Sequence, residues 1–231
     1  MVKIKRLLLF CIVILTFFDS KVYGSSYDLG IITEPVSEEQ KESIISGTDI
    51  SIITNGEIEE AIACFDVSER GTIAIGFDTQ PRAKVYLYDA NGNFLYGYEF
   101  NCEGSYGIEF VGDNLSIFFV RGDYIEIYNE KGENLGVWRV LNVEQNQTWR
   151  SNIINCTEKT VDENRYHLER DVGLTVRSYS RLIRTDVQGQ QYVIYDVSAK
   201  HNFLVIAGGI VIVLFMTVVA IGVFRKLKTK W

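Results

Sequence analysis

The clearest indication of the fold is a pattern in residues 85–95, VYLYDANGNFL, which two further parts of the chain repeat. Residues 125–135 read IEIYNEKGENL, and residues 182–192 read LIRTDVQGQQY. Each stretch is an apolar, alternating strand that ends in Asp or Asn, with a glycine three residues later. A glycine there supplies the positive φ that a tight β-hairpin turn requires, so the pattern predicts three hairpins. The three turn glycines are Gly92, Gly132 and Gly189.

A second pair of strands precedes each hairpin. Residues 65–76, FDVSERGTIAIG, are two apolar strands around a polar turn, and residues 108–119, IEFVGDNLSIFF, repeat that arrangement. A more diverged third copy begins near Thr160. The first two turn glycines are 40 residues apart, and four antiparallel strands in about 40 residues is the spacing of a β-propeller blade. The second and third are 57 residues apart, and a polar insertion at residues 141–155 accounts for the excess.

On these residues the chain resembles β-propeller blade repeats, and it is most similar to the loosely patterned NHL type of membrane-anchored, extracytoplasmic bacterial proteins. The resemblance covers roughly residues 62–197. It implies an all-β ectodomain, placed at residues 48–200, with about three four-stranded antiparallel propeller-like blades. Propellers close with four to eight blades, so three blades form an open fan, a ring completed by another chain, or a sandwich of meanders. The Asn-Gly pair at 55–56 predicts a hairpin that forms the outer half of an earlier blade.

Both ends of the chain carry membrane-related patterns. Residues 1–24 have basic residues followed by a short apolar run, which predicts a signal peptide. Residues 203–224 contain no charged residue and are long enough to cross a bilayer as one helix. The basic tail at 225–231 predicts a cytoplasmic C-terminus, with the N-terminal domain outside the plasma membrane. Residues 25–47 are acidic, and a capping box at Ser37 predicts a short helix there.

The charge of the outer part argues against nucleic-acid binding. Residues 25–202 contain 15 basic and 29 acidic residues, and an acidic surface repels phosphate backbones. The expected partners are therefore a second protein or a second copy of the chain, together with membrane lipid around the single helix. The sequence does not identify a small-molecule ligand.

No motif in the sequence predicts a cofactor, a metal site or a catalytic residue. The two histidines, His167 and His201, have no evident catalytic partner, and no C-x-x-C pair occurs. Outside the predicted signal peptide lie three cysteines, which cannot all pair with one another. Cys64 and Cys156 occupy similar places in the first and third copies, where they could form a disulfide or pack as apolar side chains. The remaining cysteine is Cys102.

Two functions compete at this point. Repeats with few candidate catalytic groups favour a membrane-anchored binding or scaffold module, and Trp149 in the polar insertion is its candidate contact residue. An insertion can also fold such an aromatic side chain back onto the sheet. The alternative function is an extracytoplasmic hydrolase that uses carboxylates of the repeat domain.

Overall fold

The computed structural model describes residues 29–56, 60–79, 81–170 and 179–199, with 207, 210–213 and 215–217. These residues form a mostly β structure of three antiparallel sheets, none of them closed. The predicted signal peptide, residues 1–24, and the basic tail, 225–231, lie outside the described residues. Most of the predicted span 203–224 also lies outside them, and its eight described residues are helical. Within the described part of the chain, no helix is both long enough and apolar enough to cross a membrane.

The N-terminal segment contains two short strands separated by a helix. Strand β1 (Thr33–Pro35) is followed by helix α1 (Glu38–Thr48) and strand β2 (Ser51–Ile53). The capping box at Ser37 is present: its hydroxyl accepts the Gln40 N–H, and the Gln40 side chain accepts the Ser37 N–H. Asp49 is the C-cap of helix α1, and its φ of 45° is in the left-handed region.

Sheet 1 is a meander of four strands with a fifth added at its outer edge. Strand β2 pairs with the last strand of the meander, with Ile52 opposite Tyr98. Residues 51–53 therefore extend the first sheet, and the expectation that they belong to an earlier blade is wrong. Residues 57–59, which would complete that hairpin, lie outside the described residues. The meander consists of β3 (Cys64–Val67), β4 (Ile73–Phe77), β5 (Ala83–Tyr88) and β6 (Phe94–Phe100).

Sheet 2 repeats this design. Strand β1 pairs antiparallel with its last strand, with Glu34 opposite Arg139. Proline at Pro35 suits an edge strand, because it has no N–H to donate to a further neighbour. The meander consists of β7 (Tyr106–Val111), β8 (Asn114–Phe119), β9 (Tyr124–Tyr128) and β10 (Asn134–Val140).

The polar insertion folds as helix α2 (Glu144–Asn155), which leads into sheet 3. Sheet 3 has four strands in sequence order, and no fifth strand among the described residues. It consists of β11 (Glu158–Val161), β12 (Asn164–Glu169), β13 (Arg181–Thr185) and β14 (Gln191–Asp196).

Sheet 1 is the middle layer of the core. Its strands alternate between two apolar faces: Ile73 and Ile75 pack toward sheet 3, whereas Val85 and Leu87 pack toward sheet 2. A sheet that is covered on both faces explains why β4 is buried along its whole length. The far face of sheet 2 presents Phe118 and Ile125. These side chains pack against Ile153 of helix α2 and against residues near Leu29.

Candidate functional site at the junction of the three sheets

The first strands of the three sheets meet at a single buried carboxylate, Asp66 of β3. Its Oδ2 accepts the backbone N–H of Phe110 in β7 at 2.7 Å. Its Oδ1 forms an ion pair with Nζ of Lys159 in β11. Asp66 is only 4% exposed, so these bonds satisfy a group that would otherwise be costly to bury. One side chain thereby joins one strand from each sheet.

The electrostatics of Asp66 result from two opposed effects. Burial raises the pKa of Asp66, because a low-dielectric surrounding disfavours the charged form. The Lys159 ammonium and the Phe110 N–H lower that pKa and offset part of the rise. The carboxylate is therefore held by Lys159, and removing this cation would leave a buried charge without compensation.

A second carboxyl group, that of half-buried Glu109 in β7, borders the same junction. The indole N–H of Trp149 donates to its Oε2 at 2.8 Å. The Trp149 ring packs against Phe118, with ring centroids 5.0 Å apart and the rings tilted by 60°. Burial raises the pKa of Glu109, the Trp149 hydrogen bond opposes this rise, and the charge of Asp66 adds to it. Trp149 is thus half-buried on helix α2, and the insertion folds this side chain back onto sheet 2.

An open cleft of about 600 Å³ lies beside the junction, at the end where the first hairpin of each sheet turns. Its walls come from all three sheets, so no single repeat could form it. Polar groups of three kinds line it: hydroxyls, carboxylates and one amine. An ion pair between Arg70 and Asp113, 2.9 Å apart, joins two of the surrounding turns. The lining includes Ser68, Glu69, Phe110, Lys159, Thr160 and Asp162.

The three cysteines and His167 occupy separate positions. Cys64, Cys102 and Cys156 are all free thiols, each at or shortly before the first strand of a sheet. Burial raises the pKa of each thiol. The His167 ring lies 3.5 Å from Glu169 on sheet 3, and His201 lies outside the described residues. Within the described ranges, no group of three or more His, Cys, Asp or Glu side chains is placed to hold a metal ion.

The sequence contained a signal for part of this site. Asp66 and Glu109 are acids within otherwise apolar strands, CFDV and YGIEFV, and a charge in such a strand predicts a buried pair. Lys159 gave no comparable signal, because its strand EKTV is polar throughout. The predicted turn glycines lie in the hairpins between β5 and β6, β9 and β10, and β13 and β14, and they are not among the residues that line the cleft.

Comparisons with known proteins identify no similar protein. No protein-family model matches the chain, and searches of curated proteins and of solved structures find no similar protein.

Proposed function

We propose that the chain is a membrane-anchored, extracytoplasmic binding or scaffold module whose three sheets act as propeller-like blades. The observation that carries this proposal is the junction cleft, whose walls come from three separate sheets. Ligand sites often lie at interfaces between units of a fold, where side chains from several elements converge. The signal peptide at 1–24 and the helix at 203–224 remain predictions from the sequence, and they provide the anchoring in this proposal.

The cleft suits a polar partner that offers both donors and acceptors. Thr160 provides a hydroxyl, whereas Glu69 and Asp162 provide carboxylates. These are recognition groups for an extended peptide or a protein loop, because each can bond to backbone amides or to basic side chains. The partner in this proposal is therefore a protein.

A second contact surface, on sheet 3, supports association with another protein or with a second copy of the chain. Helix α2 covers the far face of sheet 2, whereas no described helix covers the corresponding face of sheet 3. Val193 on that sheet is 58% exposed. An incomplete ring of repeat units leaves such terminal faces in need of neighbours.

The competing function, a hydrolase that uses Asp66 and Glu109, draws support from the raised pKa of both carboxyl groups. A raised pKa is what a general acid requires. However, Asp66 already bonds to Lys159 and Phe110, and Glu109 bonds to Trp149. Since these bonds join sheets and helix α2 to one another, we favour binding over catalysis.

Photo-cross-linking of the full chain in intact membranes tests the proposal. A photoreactive residue replaces Thr160 in the cleft, Val193 on sheet 3, or exposed Glu42 on helix α1 as the control. We expect discrete protein adducts from positions 160 and 193 and none from position 42. Equal labelling at all three positions, or no adduct from position 160, would contradict the binding function. Loss of substrate turnover in Asp66→Asn, in a panel of hydrolase assays, would instead favour the enzyme.

A further inference from the structure

Residues 31–53, which we call the strap, connect the outer edges of sheets 1 and 2. Strand β1 at its beginning pairs with β10 of sheet 2, and strand β2 at its end pairs with β6 of sheet 1. Helix α1 crosses between the two edges. Each strap strand has only three residues, so backbone pairing alone gives the strap little stability.

The two ends of the strap are fixed differently. At the β1 end, buried Asn146 of α2 accepts the Ile32 N–H at 2.9 Å and donates to the Ile32 carbonyl at 2.8 Å. At the other end, Arg82 pairs with Asp49, and the Asn101 N–H donates to the Thr48 carbonyl at 2.8 Å. The end of α1 therefore depends on contacts with the surface that it covers.

That surface contains a fully buried carboxyl group, Glu126 of β9, with 0% exposure. Its Oε2 accepts bonds from the Tyr128 hydroxyl and, at 3.1 Å, from the Asn134 amide. Its Oε1 has no well-formed hydrogen bond. The Thr48 hydroxyl lies near this carboxyl group and also contacts the carbonyls of Ile44 and Ile45, each at 3.2 Å.

Among the residues that the structure describes, no basic side chain forms an ion pair with Glu126 or lowers its pKa. Tyr124 and Tyr128 lie on its own strand, and Tyr98 of sheet 1 packs against Tyr128 with ring centroids 5.9 Å apart. Burial raises the pKa of all three tyrosines, so they stay neutral near physiological pH. The strap contributes the last turn of α1, which has no basic residue and presents the negative end of the helix dipole. Arg82, the nearby cation, is engaged by Asp49 and Glu99.

We propose that Glu126 makes the strap a proton-dependent clamp. With a protonated carboxyl group the end of α1 stays seated on sheets 1 and 2. Ionisation creates a buried charge beneath that end, with hydrogen bonds from Tyr128 and Asn134 but no cation, and this charge releases residues 44–53 while β1 stays bound through Asn146. Release also removes one wall of a cleft of about 490 Å³, formed by Gly47, Thr48, Asn101, Cys102, Arg121 and Tyr124 among others.

The direction of the pH effect follows from linkage. Burial raises the pKa of Glu126 in the closed state, and the contacts from Tyr128, Thr48 and Asn134 oppose this rise only in part. In the open state the pKa returns to the ordinary glutamate value of about 4.3. The closed strap is therefore fully favoured below about pH 4.3. The free energy that favours the closed strap over the open one declines as the pH rises toward the raised Glu126 pKa of the closed state.

Hydrogen–deuterium exchange of the full chain in detergent tests the clamp, at about pH 5.5 and 8.5 and with rates corrected for intrinsic exchange. We expect amides of residues 44–53 to exchange at least about tenfold faster at the higher pH, while those of β4 do not change. Glu126→Gln, which cannot ionise, should lose this pH dependence. Glu133→Gln, at an exposed position in the next turn, should keep it.

Three outcomes would overturn the clamp. One is equal exchange of residues 44–53 at both pH values in the wild-type chain, which requires no variant. Another is an unchanged pH dependence in Glu126→Gln, or in Glu126→Met if glutamine prevents folding. The third is a parallel rise in β4, which would indicate global unfolding instead of strap release.

Discussion

At the residue scale, one turn design is used three times. In the first copy the Asp89 carboxylate accepts the N–H groups of Asn91 and Asn93, at 2.8 and 2.9 Å. Asn129 and Asp186 make the same pair of bonds in the second and third copies. The glycine of each turn has a φ of 75° to 84°, which an L side chain adopts only with strain.

The turn glycines differ in their surroundings, and this difference gives a graded prediction. A Cβ at Gly189 would meet no atom within 4 Å, whereas a Cβ at Gly92 would lie 3.1 Å from the Ile194 carbonyl oxygen. We expect Gly189→Ala to cost about 1 kcal/mol from backbone strain alone, and Gly92→Ala about 2–3 kcal/mol. Chemical denaturation of both variants measures the difference. Equal losses would mean that the contact with sheet 3 at Ile194 contributes nothing.

Thiol reactivity is a second prediction at this scale. Burial raises the pKa of Cys102 to about 11, so little of it is thiolate near neutral pH. We expect Cys102, in a Cys11→Ser chain, to react with an aromatic disulfide reagent about 100-fold more slowly than free cysteine at pH 8. Peptide mapping of the labelled sites, before and after denaturation, measures this. A native Cys102 that reacts as fast as free cysteine would contradict the raised pKa and the half-buried position of this thiol.

At the scale of elements, the polar insertion at residues 141–155 folds as helix α2, which covers the far face of sheet 2. Two of its side chains form hydrogen bonds to other parts of the fold. Asn146 bonds to Ile32 in the N-terminal segment, and Trp149 bonds to Glu109 of β7. The helix lacks a side-chain N-cap, so its position depends on these tertiary contacts more than on local sequence.

Trp149→Phe separates the ring packing of this helix from its hydrogen bond. The variant keeps an aromatic ring near Phe118 but leaves the Glu109 carboxyl group without its donor. We expect a loss of about 1–3 kcal/mol in the free energy of unfolding. Because the pKa of Glu109 is already raised and would rise further, the loss should shrink as the pH falls and the carboxyl group takes up a proton.

Thr148→Ala, at the preceding exposed position of the same helix, is the matched control and should change stability little. Denaturation curves of the variants at about pH 5 and pH 8 provide the measurement. A loss for Trp149→Phe that is the same at both pH values would show that Glu109 is not the cause.

At the scale of the whole molecule, the Asp66–Lys159 pair connects sheet 1 to sheet 3, while Asp66 also reaches sheet 2. Apolar packing holds the sheets face to face, but it does not fix their first strands relative to one another. A buried, hydrogen-bonded ion pair is directional and can set that arrangement.

Lys159→Met should destabilise the fold by about 3–5 kcal/mol, because it leaves the Asp66 carboxylate buried without a cation. The pKa of Asp66, already raised by burial, would rise further, so the loss should be larger at pH 8 than at pH 5. The double variant Asp66→Asn/Lys159→Met should recover much of the stability, and exposed Lys131→Met is the control. A double variant no more stable than Lys159→Met would contradict the buried-charge explanation.

Several features of the fold follow from local chemistry and could be predicted from short stretches of sequence. The hairpins follow from an Asp or Asn side chain and a glycine three residues later, and the start of helix α1 follows from Ser37 and Gln40. All these interactions span at most five residues, so they can be recognised without knowing the rest of the fold. The alternation of apolar residues likewise predicted strands, and the structure is mostly β, with three antiparallel sheets.

How these parts meet could not be predicted from the sequence, because it depends on contacts between distant parts of the chain. The tertiary structure placed sheet 1 between the other two, paired β2 with β6, and brought Lys159 to Asp66 across 93 residues of sequence. An alternating strand shows which side chains share a face, but not which other sheet covers that face. That choice depends on the complementary burial of whole surfaces, a property that no single stretch of sequence contains.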